Sequence, residues 1–276
     1  MWVALAGGPL TKGELMPRFI CWVLLLLAIP VAHAGAEEPE AVPAEVSEAW
    51  FENPLRSRGF LSHTALPLHS GEGFIGQQGV FITSAEVGLG ERVSLNVASA
   101  MPFMLVGGSP FGGHASELRL NVLAGLKVAV PVSERVHLAF GVQGGAAPMR
   151  FAGVGDVYAI NPYGVLTYGT GDSHLSVSLQ SAYIVGTFNS GPDVLLIPTV
   201  SGFMRLGEHW GLAAEALTLL PLAGQLEPGG LVMGGPRFLG QHWSVDLGVI
   251  AAQEWDAFTR NRLRVLPWAS FMFHWS

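Results

Sequence analysis

Residues 117–130 read ELRLNVLAGLKVAV, and the side chains sort by parity. Leu118, Leu120, Val122, Ala124, Leu126, Val128 and Val130 share one parity, while Glu117, Arg119, Asn121, Gly125 and Lys127 share the other. A period of two describes a strand with one apolar and one polar face. The next segment repeats it, with Val136, Leu138, Phe140 and Val142 against His137, Ala139, Gly141 and Gln143. Leu175, Val177 and Leu179 oppose Ser176, Ser178 and Gln180; Trp243, Val245, Leu247 and Val249 oppose Ser244, Asp246 and Gly248. Val93, Leu95, Val97, Met101 and Phe103 oppose Ser94, Asn96 and Ala98.

A short phrase introduces these segments. GERVSL begins at Gly90, SERVHL at Ser133, DSHLSV at Asp172, GEHWGL at Gly207 and GQHWSV at Gly240, at spacings of 43, 39, 35 and 33 residues. The fourth position of each copy (Val93, Val136, Leu175, Trp210, Trp243) starts the apolar parity. Each copy therefore reads as a tight turn followed by the first outward residue of a new strand. Longer polar or glycine-rich connections alternate with the copies, at residues 106–116, 145–155, 188–193, 223–230 and 254–262. Short and long connections in alternation predict up-and-down antiparallel hairpins. Five hairpins, a first strand over residues 59–68 and a last over 263–275 make about twelve strands, within a range of 10–14. Residues 59–68 and 230–239 are the weakest of these strands, being interrupted by Pro67 and Pro236.

Composition decides what faces outward. Half of the 276 residues are hydrophobic and 13% are charged, against about a quarter charged in ordinary soluble domains. No apolar run of 18 residues follows Gly35, so no spanning helix is available. A secreted soluble β-sandwich also alternates, but its outer face would be dense in Lys, Glu and Thr. Here the polar parity is sparse and rich in Gly, Ala and Ser, as a narrow barrel interior would be. The predicted fold is an all-β, up-and-down antiparallel transmembrane β-barrel with short periplasmic turns and longer outer loops. Trp210, Trp243 and Trp275 are candidates for an interfacial aromatic girdle.

The amino terminus reads as an export signal: Arg18, an apolar run from Phe19 to Val31, then Ala32-His33-Ala34. A retained anchor is the alternative, although the run is short for a bilayer. The expected organisation is a signal peptide over residues 1–34 (1–15 being a possible mis-start), an acidic flexible linker over 35–58 and the barrel over 59–276. Cys21 falls inside the signal, so the mature chain has no thiol for a disulfide or a metal. Cleavage leaves 12 basic and 20 acidic residues, six of the acids (Glu37, Glu38, Glu40, Glu45, Glu48, Glu52) preceding Asn53. Nothing basic enough for nucleic acid remains.

The charges of the strands keep to the polar parity. Glu86, Glu117, Glu215 and Asp246, with Arg119, Lys127, Arg205, Arg237 and Arg264, are candidate lumen-facing residues. An Arg or Lys on the lipid face would cost about 2–4 kcal/mol near the midplane. Four acids against five bases fit paired charges filling a narrow interior better than a one-sign selectivity ring.

The segment NPLRSRGFLSHTALPLHSGEGFI, residues 53–75, carries Asn53, Pro54 and Arg56, then Thr64, Ala65 and Pro67, then Leu68, Gly71, Glu72, Gly73 and Phe74. It resembles the opening of an uncharacterised family of bacterial outer-membrane β-barrels, with an N-P-x-R element followed by L-x-x-G-E-G and an aromatic. The resemblance implies a barrel in the bacterial envelope and brings no activity with it. The alternating aromatic last strand, ending in Phe271, Phe273 and Trp275, resembles the signal that barrel-assembly machinery reads; here one residue, Ser276, follows the aromatic.

No catalytic constellation emerges. His69-Ser70 resembles the His and Ser of an outer-membrane phospholipase but lacks the Asn that should follow the Ser. There is no G-x-S-x-G elbow, no zincin histidine pair, and no helix start or lysine behind Gly71-Glu72-Gly73 for a phosphate. His137, His209, His242 and His274 lie near one rim on different hairpins, which reads as interfacial or interior polarity rather than a metal site. No catalytic residue, metal or cofactor is expected; the expected partners are outer-membrane lipid, the assembly machinery and an unspecified small solute. The functional expectation is an outer-membrane barrel serving as a small passive channel or transporter. The alternatives are a closed structural or adhesion barrel and, less favoured, a membrane-embedded lipid-acting enzyme.

Overall fold

Strands form wherever the parity rule holds. A computed structural model of the chain describes residues 50–79, 82–100, 122–148, 156–186, 192–224, 226, 228–254 and 263–276. Its strands are β1 Gly73–Gln78, β2 Ile82–Gly88, β3 Val93–Ala100, β4 Val122–Pro131, β5 Val136–Pro148 and β6 Asp156–Gly169. They continue with β7 Ser173–Val185, β8 Asp193–Gly207, β9 Trp210–Ala223, β10 Gly229–Leu239, β11 Trp243–Glu254 and β12 Leu263–Trp275. Every strand pairs antiparallel with its sequence neighbours, and β1 closes on β12, giving a barrel of twelve strands. The five phrase copies lie at the short turns β2–β3, β4–β5, β6–β7, β8–β9 and β10–β11. These turns define one rim, the turn rim; the longer connections lie at the other, the loop rim.

The two faces of the wall follow the parity of the sequence. On β4, Leu126, Val128 and Val130 point outward and are exposed, while Lys127 and Ala129 are buried. On β7, Val177 and Leu179 are outward while His174, Ser176 and Ser178 are inside. Trp210, Trp243 and Trp275 stand outward at the turn rim, where β9 and β11 begin and β12 ends. Tyr158 and Tyr168 are both outward on β6, ten residues apart. At about 3.4 Å per residue and a tilt near 40° they are about 25 Å apart along the axis, the height of an apolar transmembrane band. The wall is thus built to stand in hydrocarbon.

Two sequence expectations are corrected. Residues 59–68 form no wall strand; only an isolated bridge joins Arg58 to His63, and the first strand is β1. The boundary also moves, because the barrel unit begins at Trp50, which takes residues 50–58 out of the expected linker. The physical reason is where the backbone bonds go. The amides of residues 60–62 and Ala65 are bound by wall side chains, and Thr64 N bonds to Ser57 O at 3.0 Å within the segment. Pro236 does sit within a strand, β10; the β10–β11 register runs from Gly234↔Val249 to Arg237↔Asp246 across it. The signal-peptide expectation, together with Glu117, Arg119, Met101 and Phe103, lies outside the described residues.

Candidate functional site: a lumen closed by the chain's own segment

Residues 53–68 enter the lumen at the turn rim, reach the level of Glu215 midway along β9, and return to the rim before β1. This plug is held at three levels.

At the rim, Asn53 is fully buried. Its Oδ1 accepts from Leu55 N at 3.0 Å, and its Nδ2 donates to Gly171 O of the β6–β7 turn at 2.7 Å. Arg56 forks onto Glu72 at 2.7 and 2.5 Å and reaches Glu52 at 3.1 Å. Burial pushes the Glu72 carboxyl upward, but hydrogen bonds from Arg56 and the His69 amide, with the charge of Arg56, outweigh it and hold the group below its ordinary value. Arg205 of β8 donates to Phe51 O and Asp172 Oδ1, both at 2.7 Å, and its guanidinium lies over the rings of Trp50 and Phe51.

One level deeper, Glu86 of β2 and Lys127 of β4 pair at 2.8 Å, both almost fully buried. Ser94 donates to Glu86 at 2.6 Å, Ser57 Oγ lies 3.3 Å from it, and Lys127 donates to Ser57 O at 3.3 Å. Ala65 N donates to Thr167 Oγ1 at 2.8 Å, and the His63 ring stacks on Tyr163 with centroids 5.0 Å apart.

At the plug tip, Glu215 accepts from three consecutive backbone amides, those of Phe60 (2.8 Å), Leu61 (3.2 Å) and Ser62 (3.1 Å), and from Ser62 Oγ at 3.0 Å. The chain must approach that carboxylate closely. A Cβ at Gly59 would collide with Glu215 Oε2, so glycine is required there. Arg237 bonds Asp246 at 2.7 and 3.1 Å and donates to Gly59 O at 3.2 Å. Apolar packing adds to these bonds: Phe60 with Phe203, Ala213, Met233 and Leu239; Ala65 with Ala129, Ala139, Tyr163 and Val165; Leu55 and Leu68 with Phe74 and Met272.

Of the sequence-derived interior charges, Glu86, Lys127, Arg205, Glu215, Arg237 and Asp246 are buried inside the barrel and brought together around the plug. Arg264 lies on β12 opposite Ala252. The four rim histidines do not converge: His209 lies 3.3 Å from Leu239 O, while His274 lies 3.0 Å from Ser244 Oγ. Among the described residues no three His, Cys, Asp or Glu side chains gather as a metal site. His69 is exposed at the rim between Glu52 and Glu91, at 3.4 and 3.2 Å. Sequence reasoning missed the plug residues Asn53, Arg56, Ser57, Arg58, Ser62 and Thr64. The signal was present in the N-P-x-R element and in the lack of alternation across residues 59–68.

No protein-family model and no curated protein matches the chain. Among solved structures it is similar to the outer-membrane expressed OmpT of Vibrio cholerae, at 14% identity and a TM-score of 0.37 over 70% of this chain. That match spans 64% of the OmpT chain, less than two thirds of its length. The in-vitro folded trimer form of OmpT from the same organism is 12% identical, with a TM-score of 0.36 over 74% of this chain and 96% of that one.

Proposed function

We propose that this protein is an outer-membrane barrel that works as a gated transporter rather than an always-open channel, its own residues 53–68 being the gate. The turn rim, where the chain enters, faces the periplasm, and the loop rim faces outward. The alternating aromatic β12 supplies the signal for assembly machinery. The observation that carries the reading is the attachment of the plug. The wall offers it a carboxylate, a guanidinium and an ammonium aimed at backbone groups, while the wall's own pairs, Arg237–Asp246 and Lys127–Glu86, stay bonded to each other. A segment held by polar bonds to intact pairs can leave and be rehydrated without stranding every charge in the lumen. The number of these attachments, polar and apolar, favours a second reading, a permanently closed structural barrel.

Single-channel conductance in planar bilayers separates the two. The mature chain is expected to be silent, and removal of residues 35–49 leaves it silent. Removal of residues 50–68 opens discrete ohmic steps. As a variant that keeps the whole segment, Ser62→Cys/Ser201→Cys joins two hydroxyl positions that lie 3.3 Å apart in a mature chain with no other thiol. Rare openings of the parent, provoked by voltage or urea, should vanish in the oxidised pair and return on reduction. A plugless barrel that folds and never conducts sinks the transport reading.

A further inference from the structure

Wall side chains from five strands converge on the main chain of the segment they hold. Arg205 of β8 donates to Phe51 O, Lys127 of β4 to Ser57 O and Arg237 of β10 to Gly59 O. Thr167 of β6 accepts from Ala65 N, and Glu215 of β9 accepts from the amides of residues 60–62. The three bases already hold acids, namely Asp172, Glu86 and Asp246. A base so paired has little net attraction for an anion, and its remaining N–H groups suit a neutral carbonyl. Among the described residues Glu215 is bonded to amides and a hydroxyl, and to no Lys or Arg. Donors for carbonyls and an acceptor for amides, set in one lumen, are the complement of a peptide backbone.

The bore fits the same ligand. Residues 57–64 are a chain doubled back on itself: Gly59 N donates to Ser62 O at 2.9 Å, Thr64 N donates to Ser57 O at 3.0 Å, and an antiparallel bridge joins Arg58 to His63. Two limbs paired in this way stand about 4.8 Å apart, so a lumen that encloses both has room for one extended chain. Side-chain contacts add a preference at the tip. Gly59 lies against Glu215 and Ser201 with no room for a Cβ. Phe60 packs among Phe203, Ala213, Met233 and Leu239, and the Arg237 guanidinium stands 5.8 Å from its ring.

We propose that the opened lumen is a binding site for peptide main chain, that its cargo is a short unfolded peptide, and that the plug is the tethered counterpart of that cargo. When the plug leaves, the carboxylate of Glu215 and the free N–H groups of Lys127 and Arg237 lose their partners, and a peptide in transit supplies the same carbonyls and amides in turn. Glycine followed by an aromatic is the preferred pair at the level of Glu215. The proposal rests on the gated-transporter reading, because a peptide reaches these groups only once the plug has left.

Hydrogen exchange on the intact mature chain in lipid nanodiscs tests it. The amides of residues 60–62 exchange when the plug leaves, and a ligand that binds only the opened lumen lowers their protection by the factor 1 + [L]/Kd. The probe is the end-blocked peptide SRGFLSHT, the sequence of residues 57–64. At about 1 mM it should lower that protection at least tenfold and leave the strands of the wall unchanged. The same peptide methylated on the nitrogens matching Phe60, Leu61 and Ser62 keeps every side chain but brings Glu215 no amide donor. It should need at least a tenfold higher concentration for the same effect, a larger loss than exchanging its phenylalanine for leucine. Equal potency of the parent and methylated peptides overturns main-chain recognition. Spermidine or maltotriose acting as strongly as the peptide would assign the lumen to cations or sugars and overturn the peptide as cargo. No response to the parent peptide, in a protein whose amides 60–62 exchange faster than those of β9, overturns the proposal and leaves the gate standing. Exchange of residues 60–62 only together with β9 means that the plug never leaves alone, and then the gate itself falls, so the two failures are distinguishable.

Discussion

Strand β9 presents two chemistries on one face. Ala213 and Glu215 point into the half of the lumen that holds the plug; Leu217 and Leu219, two and four positions further on the same parity, line the half above it. The same division runs across β8, where Arg205, Phe203 and Ser201 give way to Ile197, and β10, where Arg237 gives way to Leu231. Hydrophobic patterning alone cannot explain a charged side chain inside a barrel that stands in lipid. The presence of a backbone to satisfy can. On β8–β10 Arg205, Glu215 and Arg237 stand where the plug brings unpaired amides and carbonyls, and a buried charge returns on β8 at Asp193, at the loop-rim end of the strand.

The sharpest way to break that contrast is at the tip. Glu215→Gln replaces a charged acceptor of three amides with a group whose nitrogen repels them. Charge-assisted bonds contribute about 1.5–3 kcal/mol each, so the tip should lose about 5 kcal/mol of attachment. Hydrogen exchange should accelerate by about five thousandfold at the amides of residues 60–62, at about 1.36 kcal/mol per decade, while the strands of the wall keep their protection. Uniform acceleration across β9 would mean that plug and wall unfold as one unit and that the two regions are not separable.

A second cut tests whether the interior pair serves the plug or itself. Lys127→Met leaves the Glu86 carboxylate buried without its partner, which should cost about 3–5 kcal/mol; Lys127→Met/Glu86→Gln removes both charges and should recover most of it. Denaturation followed by gel migration orders the three proteins. If the double variant is no better than the single, the lost bond from Lys127 to Ser57 O matters more than the stranded charge.

The wall was legible in the sequence because its faces obey a period of two and its short turns repeat. The five phrase copies lie at five turns, and Val93, Val136, Trp210 and Trp243 each begin a strand. The plug was not legible because its order is not periodic. Phe60, His63 and Thr64 are all buried or half-buried, since the lumen encloses them on every side and no parity separates in from out. Pro67 had already weakened residues 59–68 as a strand. The interior charges could be placed by parity alone, but their partners lie up to 178 residues away, as Arg237 does from Gly59, and no local pattern connects them. The apolar half of the lumen was hidden for a related reason. Leu217 and Leu219 continue a parity that charged Glu215 marks as inward, so residue type alone would have turned them toward lipid.

The smallest expected effect lies at the rim, where the plug's first turn is latched by Arg56 on Glu72. Glu72 has its pKa held below the ordinary value, so its contribution is fully present above about pH 4.3 and is lost as pH falls through the lowered value. Glu52 also binds Arg56, and His69 lies against both Glu52 and Glu91, so the other charges facing the latch are one base and two acids. A partly solvated pair of this kind contributes about 1 kcal/mol. Acidification from pH 6 to 3 should therefore lower the protection of the amides of residues 55–58, taken relative to the intrinsic exchange rate at each pH, several-fold. Arg56→Gln should show the faster rate at pH 6 already and a flatter pH profile. A profile as steep in Arg56→Gln as in the parent would assign the acid response to other carboxylates.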